Sequence, residues 1–206
     1  MSIPTLVVNA ESDSPIPTRD RLIAAMLNAL RRKGFHGVGL NELLAEAGAP
    51  KGVLYHHFPG GKSELAIAAI QTVVSQINGG LQKLLKRHAN PADALQAWMV
   101  SAQKLLAGSG FEQGCPMASI ALESTPEDAA IRAALADGFS SIRTHLANAL
   151  QSSGVEAARS DNLAALMVSA YEGALLQARV AGHVQAMQNT TEALVDLIRL
   201  SLPEQR

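Results

Sequence analysis

The chain has 206 residues, 48% hydrophobic and only 3% aromatic, and its 17 Lys and Arg against 18 Asp and Glu leave a net charge of −1. This composition excludes a low-hydrophobicity disordered chain and allows a sizeable core. The single cysteine, Cys115, excludes an intramolecular disulfide and a Cys-rich zinc site. With no signal-like start and no apolar run of membrane-spanning length, a cytoplasmic protein without a membrane partner is expected.

Alanine and leucine dominate, and no run alternates β-branched with polar residues, so the class read from the sequence is all-α. Residues 1–17 carry Pro4, Pro15 and Pro17 among polar residues and are read as a flexible tail. A first helix is expected from Thr18 to Lys33, with Leu22, Ile23, Met26, Leu27 and Leu30 on one face and Gly34 as its stop. Leu40 to Ala47 is a short second helix, buried through Leu40, Leu43 and Leu44 and closed by Gly48. Pro50 suits the first position of a third helix that ends by Phe58, ahead of Pro59-Gly60-Gly61. These three helices make an expected head at 18–61, and the rest, 62–206, an expected body.

The body begins with a long helix from Lys62, weakened at Gly79-Gly80, where a bend is expected. A fifth helix runs from Asn90-Pro91 through Leu106, and Gly108 to Pro116 is a loop. A short helix covers Met117 to Ser124. Thr125-Pro126-Glu127-Asp128 reads as the capped start of a helix reaching Ser152. Ser160 to Ala181 and Asn189 or Thr190 to Leu202 complete nine helices, without a repeat of fixed period.

Charge is distributed unevenly. Between Pro15 and Ser63 seven bases face three acids, whereas ten bases and thirteen acids follow. A cationic head on an anionic body suits phosphate binding at one end, although chance variation along a helical chain gives the same pattern. Two short helices joined by a tight glycine turn match a helix-turn-helix, whose second helix enters the DNA major groove. Here that helix is Pro50 to His57. Lys51 can reach a phosphate or guanine, Gly52 permits close backbone approach, and Tyr55, His56 and His57 carry polar tips for phosphates or base edges.

Gly34-Phe35, Leu43, the run Ala47-Gly48-Ala49-Pro50-Lys51-Gly52-Val53-Leu54-Tyr55-His56-His57-Phe58, and Lys62 together resemble the TetR family of bacterial repressors. The stretch from Gly114 to Leu122 and the Phe58–Lys62 turn resemble its LmrA/YxaF-like branch. The resemblance implies an all-helical homodimer whose first three helices form a helix-turn-helix DNA-binding domain. It implies a larger helical domain that binds a small-molecule effector and dimerises through the last two helices. The implied partners are double-stranded DNA with a palindromic operator, the effector and a second copy, and no cofactor. DNA contacts carried over are Lys51, Gly52, Tyr55, His56 and His57, with Lys62 against the DNA backbone. The chain departs from the family pattern at Val38-Gly39 and Val53, where hydroxyl residues are common, so the resemblance carries no operator sequence with it.

Other signals have bland readings beside them. Gly60-Gly61-Lys62-Ser63 resembles the end of a phosphate-binding loop, but position 56 is a histidine and no strand precedes it. His56 and His57 point about 100° apart on a helix and do not chelate together, so no metal site is expected. In the body, Trp98, Met99, Phe111, Cys115, Met117, Phe139, Met167 and Tyr171 are either core or the wall of an effector pocket. Gln103, Glu172 and Gln177 can orient a ligand there. Leu163, Ala170, Gly173, Ala174, Leu194, Leu197 and Ile198 are candidates for a helical dimer interface, with internal burial as the alternative. Two further functions stay open: a ligand-binding dimer without operator binding, and a helical enzyme using Cys115.

Overall fold

A computed structural model describes residues 16–203, so most of the tail expected at 1–17 lies outside the described residues. Among these, nine helices and no strand are present: α1 (Thr18–Lys33), α2 (Leu40–Ala47), α3 (Lys51–His57), α4 (Gly61–Arg87), α5 (Pro91–Gly108), α6 (Pro116–Glu123), α7 (Ala129–Ser152), α8 (Ala157–Ala181) and α9 (Gln185–Ser201). The all-α expectation therefore holds.

α1 buries Leu22, Ile23, Met26, Leu27 and Leu30, the residues its period singles out. It packs on α2, α3, α4 and α6. α2 ends where Gly48 takes the left-handed conformation (φ 57°). The Gly48 and Ala49 amides then return to the Ala45 and Leu44 carbonyls, which turns the chain sharply into α3. Pro50 stands just outside α3 as its cap, one residue before the position expected for it.

α4 runs through Gly79-Gly80 without interruption. The glycine at 80 makes room for a neighbour, since a Cβ there would lie 3.1 Å from Cζ3 of Trp98. The body is a bundle in which α4 packs on α7, α7 on α8, and α5 and α8 on α9. Asn90 caps α5 by accepting from the Ala92 amide at 2.8 Å.

Three starts differ from expectation, and one of them is α9, which begins at Gln185, ahead of the expected Asn189 or Thr190. α7 begins at Ala129 because Asp128 turns back and accepts from the Thr125 amide (2.9 Å) and hydroxyl (3.1 Å), closing a turn instead of opening the helix. α8 begins at Ala157 because the Glu156 carboxylate accepts from the Ala158 and Arg159 amides, both at 2.9 Å. Those bonds hold the Glu156 carboxyl below its ordinary value. One continuous apolar cluster joins head and body, from Leu22 on α1 to Ile198 on α9.

Candidate nucleic-acid interface

α3 is fixed from behind. Leu54 and Phe58 are fully buried in the shared core, and each contributes about 1.5–3 kcal/mol by burial. That fixes the face turned outward. Lys51, Gly52, Tyr55 and His56 are exposed, and their spacing places them on one side of the helix. Gly52 has open space around its missing side chain, so no contact within the chain requires a glycine there. The Tyr55 ring lies against Gly61, where a Cβ would be 3.3 Å from Cε1, and this aims the hydroxyl end of an otherwise exposed residue. His57 is half-buried, its ring packed edge-on to His56 and tilted toward Phe58. Arg19, which sequence reasoning passed over, stacks 5.4 Å from the centre of the Phe58 ring and adds a cation beside α3. Its signal was a basic residue at the start of α1, far in sequence from α3.

α2 is held to α1 by polar ties. Asn28 donates to Glu46 at 3.0 Å, and Lys33 pairs with Glu42. Gly39 precedes α2 without any side-chain cap, so the hydroxyl absent from the sequence is not replaced by another side chain.

Lys62 is a correction. It was expected against the DNA backbone, but its ammonium turns inward and donates to the carbonyls of Phe35 (2.6 Å) and Val38 (2.7 Å). It also lies 4.5 Å from the centre of the Phe35 ring. The turn between α1 and α2 has few partners for its carbonyls, and the lysine at the start of α4 supplies them. Burial lowers the Lys62 amine from its ordinary value, against the attraction of Glu123.

The body candidates separate into four groups. Met99, Met117 and Met167 are buried core. Gln103 donates to the Thr191 hydroxyl at 3.2 Å, Trp98 packs on Gly80, Phe139 is partly buried against the core, and Gln177 is exposed and bonded to its own helix at the Gly173 carbonyl. Cys115 and Tyr171 meet, with Glu172, beneath the last turn of α1. There the Cys115 thiol and the Glu172 carboxyl lie close enough to influence each other. Burial, then the Glu172 charge, push the Cys115 thiol well above its ordinary value. Burial likewise raises the Tyr171 hydroxyl and the Glu172 carboxyl, and Oε2 of Glu172 is buried without a hydrogen-bond partner among the described residues. Burial lowers the Arg31 guanidinium, with Cys115 and Tyr171 opposing. Nearby, an open groove of about 520 Å³ is lined by Phe111, Leu176 and Val180 beside Arg32, Lys33 and Arg179.

The interface candidates need correction too. Leu163, Ala174, Leu194 and Ile198 are buried within the single chain, because they form the faces that α8 and α9 turn to each other and to the core. Ala170, Gly173 and Leu197 are partly exposed. The outward face of α8 instead carries Leu166, Leu176 and Val180, the last 82% exposed, and α9 adds Leu200 at 85%. Among the described residues no group of three His, Cys, Asp or Glu is gathered to hold a metal, and no helix is long and apolar enough to cross a membrane.

Comparison with known proteins gives a consistent result. Residues 22–69 match the family described as bacterial regulatory proteins, tetR family, and residues 91–193 match the C-terminal domain of LmrA/YxaF-like transcriptional regulators. The HTH-type transcriptional regulator LmrA of Bacillus subtilis is 25% identical over 182 residues, covering 88% of this chain and 97% of that protein. The HTH-type transcriptional repressor NemR of Escherichia coli K12 is 24% identical over 187 residues, covering 88% and 94%. The crystal structure of a regulatory protein TetR from Rhodobacter sphaeroides superposes with a TM-score of 0.72 at 27% identity, covering 87% and 97% of the two chains. The matched families are regulators of transcription and not enzymes, so the reading of a Cys115 enzyme is set aside.

Proposed function

This chain belongs to the TetR family of transcriptional regulators, with an LmrA/YxaF-like C-terminal domain, and from that premise we propose that it is an effector-released operator repressor. In this reading 18–61 is the DNA-binding head and 62–206 the effector-binding and dimerising body. The observation that carries it is the outward face of α3, where Lys51, Gly52, Tyr55 and His56 stand free on a helix locked by Leu54 and Phe58. In a homodimer two such helices meet successive major grooves of a palindromic site. Lys51 reads guanine or phosphate, and Tyr55, His56 and His57 serve as hydrogen-bonding contacts.

The second copy covers the outward face of α8 and α9. Leu166, Leu176, Val180 and Leu200 supply its apolar surface, and Gly173, with nothing near its missing Cβ, lets two helices approach closely. The effector is a small, largely apolar molecule that presents a hydrogen-bond donor to Glu172, beside Cys115 and Tyr171. The unpartnered Oε2 of Glu172 supports this site, because a buried acceptor left without a donor costs free energy that a ligand removes.

The test is enrichment of a duplex from a random pool, followed by mobility-shift titration. Lys51→Ala and Tyr55→Ala are each expected to weaken binding about tenfold or more, at about 1–3 kcal/mol per lost base contact, with the melting temperature unchanged. Wild-type affinity in both variants would overturn the assignment of α3.

A further inference from the structure

We propose that Glu123, the last residue of α6, is a positioning residue for DNA binding, holding the turn between α1 and α2. This rests on the DNA-binding reading above. The turn from Gly34 to Gly39 has no helical partners of its own, so its polar backbone groups must be met from elsewhere. Lys62 meets the carbonyls of Phe35 and Val38. Glu123 accepts from the His36 amide at 2.8 Å. The turn is thus gripped by a cation from α4 and by an anion from α6, close enough to attract each other. Its two apolar residues, Phe35 and Val38, are buried on the core, which leaves little play between grip and helices.

Gly34 is shaped to this contact. A Cβ there would lie 1.7 Å from Oε1 of Glu123, and its φ of 74° is one that side chains rarely adopt. The same stretch of body touches α1 again just before α6. The Gly114 amide donates to the Arg31 carbonyl at 3.1 Å, and Arg179 on α8 donates to the Arg32 carbonyl at 3.3 Å. These are carbonyls of the last turn of α1, which have no partner inside the helix. The chain just before α6 and the last residue of α6 are therefore bonded to the end of α1 and to the turn that follows.

α6 is also seated in the body. Met117 and Ile120 are each 1% exposed, and the Met117 methyl lies against Gly138 of α7, 2.9 Å from where a Cβ would stand. A helix of eight residues is about 12 Å long. Glu123 thus reaches the turn from a helix that the core holds in place. The turn it holds leads directly into Leu40, where α2 begins.

The full chain carrying Glu123→Ala, and separately Glu123→Gln, is compared with wild type by two measurements. One is amide hydrogen exchange of residues 35–48. The other is affinity for the duplex that wild type enriches from a random pool, taken well below each variant's melting temperature. Glu123→Ala is expected to speed exchange at 35–39 about tenfold or more and to weaken DNA binding about tenfold. Glu123→Gln keeps an acceptor for the His36 amide and is expected to recover most of both, which general destabilisation of the fold would not give. Unchanged exchange, or faster exchange with unchanged affinity, overturns the role of Glu123 alone. A wild-type chain that enriches no duplex overturns the DNA-binding reading, and the role assigned to Glu123 with it, whatever the exchange shows.

Discussion

Lys62 sits over the ring of Phe35, 4.5 Å from its centre, and donates to the carbonyl of the same residue at 2.6 Å. One side chain thus holds both the aromatic face and the backbone of a residue 27 positions earlier. Lys62→Met keeps the stem over the ring and removes the donor. We expect a loss of about 1–3 kcal/mol, the usual cost of leaving buried carbonyls unpaired, seen as a lower urea midpoint at unchanged slope. The salt dependence of DNA binding should stay the same. A lysine that neutralised a phosphate would reduce that slope by about one on substitution, and such a reduction at unchanged stability would return Lys62 to the DNA backbone.

Glu172 makes stability depend on pH in a defined sense. Its carboxyl is raised by burial in the folded chain, whereas the unfolded chain titrates near the ordinary 4.5. Below that value both states hold the proton and no difference arises. As pH rises above it, the unfolded state gains the favourable ionisation that the folded state is denied, so stability falls until the folded-state value is passed. Glu172→Gln removes this loss. The variant should match wild type at pH 4 and exceed it at neutral pH, by urea denaturation at each pH. A gap that does not widen with pH would contradict a carboxyl raised by burial.

Cys115 should be chemically quiet. Only the thiolate attacks, and each unit by which the thiol is raised cuts that form about tenfold. With burial and Glu172 both acting against ionisation, labelling by a disulfide reagent at neutral pH should be at least about a hundredfold slower in the folded chain than in urea. Mild peroxide should leave DNA affinity unchanged. Rapid labelling of the folded protein would contradict the buried thiol.

The outward face of α8 and α9 gives a prediction about assembly. Placing a carboxylate at Val180 and at Leu200 puts charge where the second copy is proposed to pack. Each buried apolar side chain is worth about 1.5–3 kcal/mol, so the Val180→Asp/Leu200→Asp double variant should raise the dimer dissociation constant at least about a hundredfold. Light scattering at low micromolar concentration reads this as a monomer. Helical content should be unaffected, since neither residue is part of the core. A Leu194→Asp variant, by contrast, should fail to fold.

The head was readable because its punctuation is strong. Gly34, Gly48, Pro50 and the Pro59-Gly60-Gly61 turn each restrict the backbone locally, and α2 begins and ends where they imply. The body was less readable at its helix starts. Thr125 and Asp128 have the composition of a cap, yet their bond is to each other, while Glu156, an uncommon capping residue, starts α8. On α8 and α9, leucine and alanine occupy both faces. Periodicity therefore located the helices without telling Leu163, which is core, from Leu166, which is surface.

By itself, then, the sequence determined an all-helical chain, the three short helices of the head and the side of α3 that faces away from Leu54 and Phe58. Those follow from glycine and proline geometry and from a 3.6-residue period, which act within a few residues of one another. Only the tertiary structure decided that Lys62 turns inward, that Glu123 grips His36 across 87 positions, and that Cys115 meets Glu172. Each of those depends on which groups are left without a partner once the helices have packed, and local sequence does not carry that information.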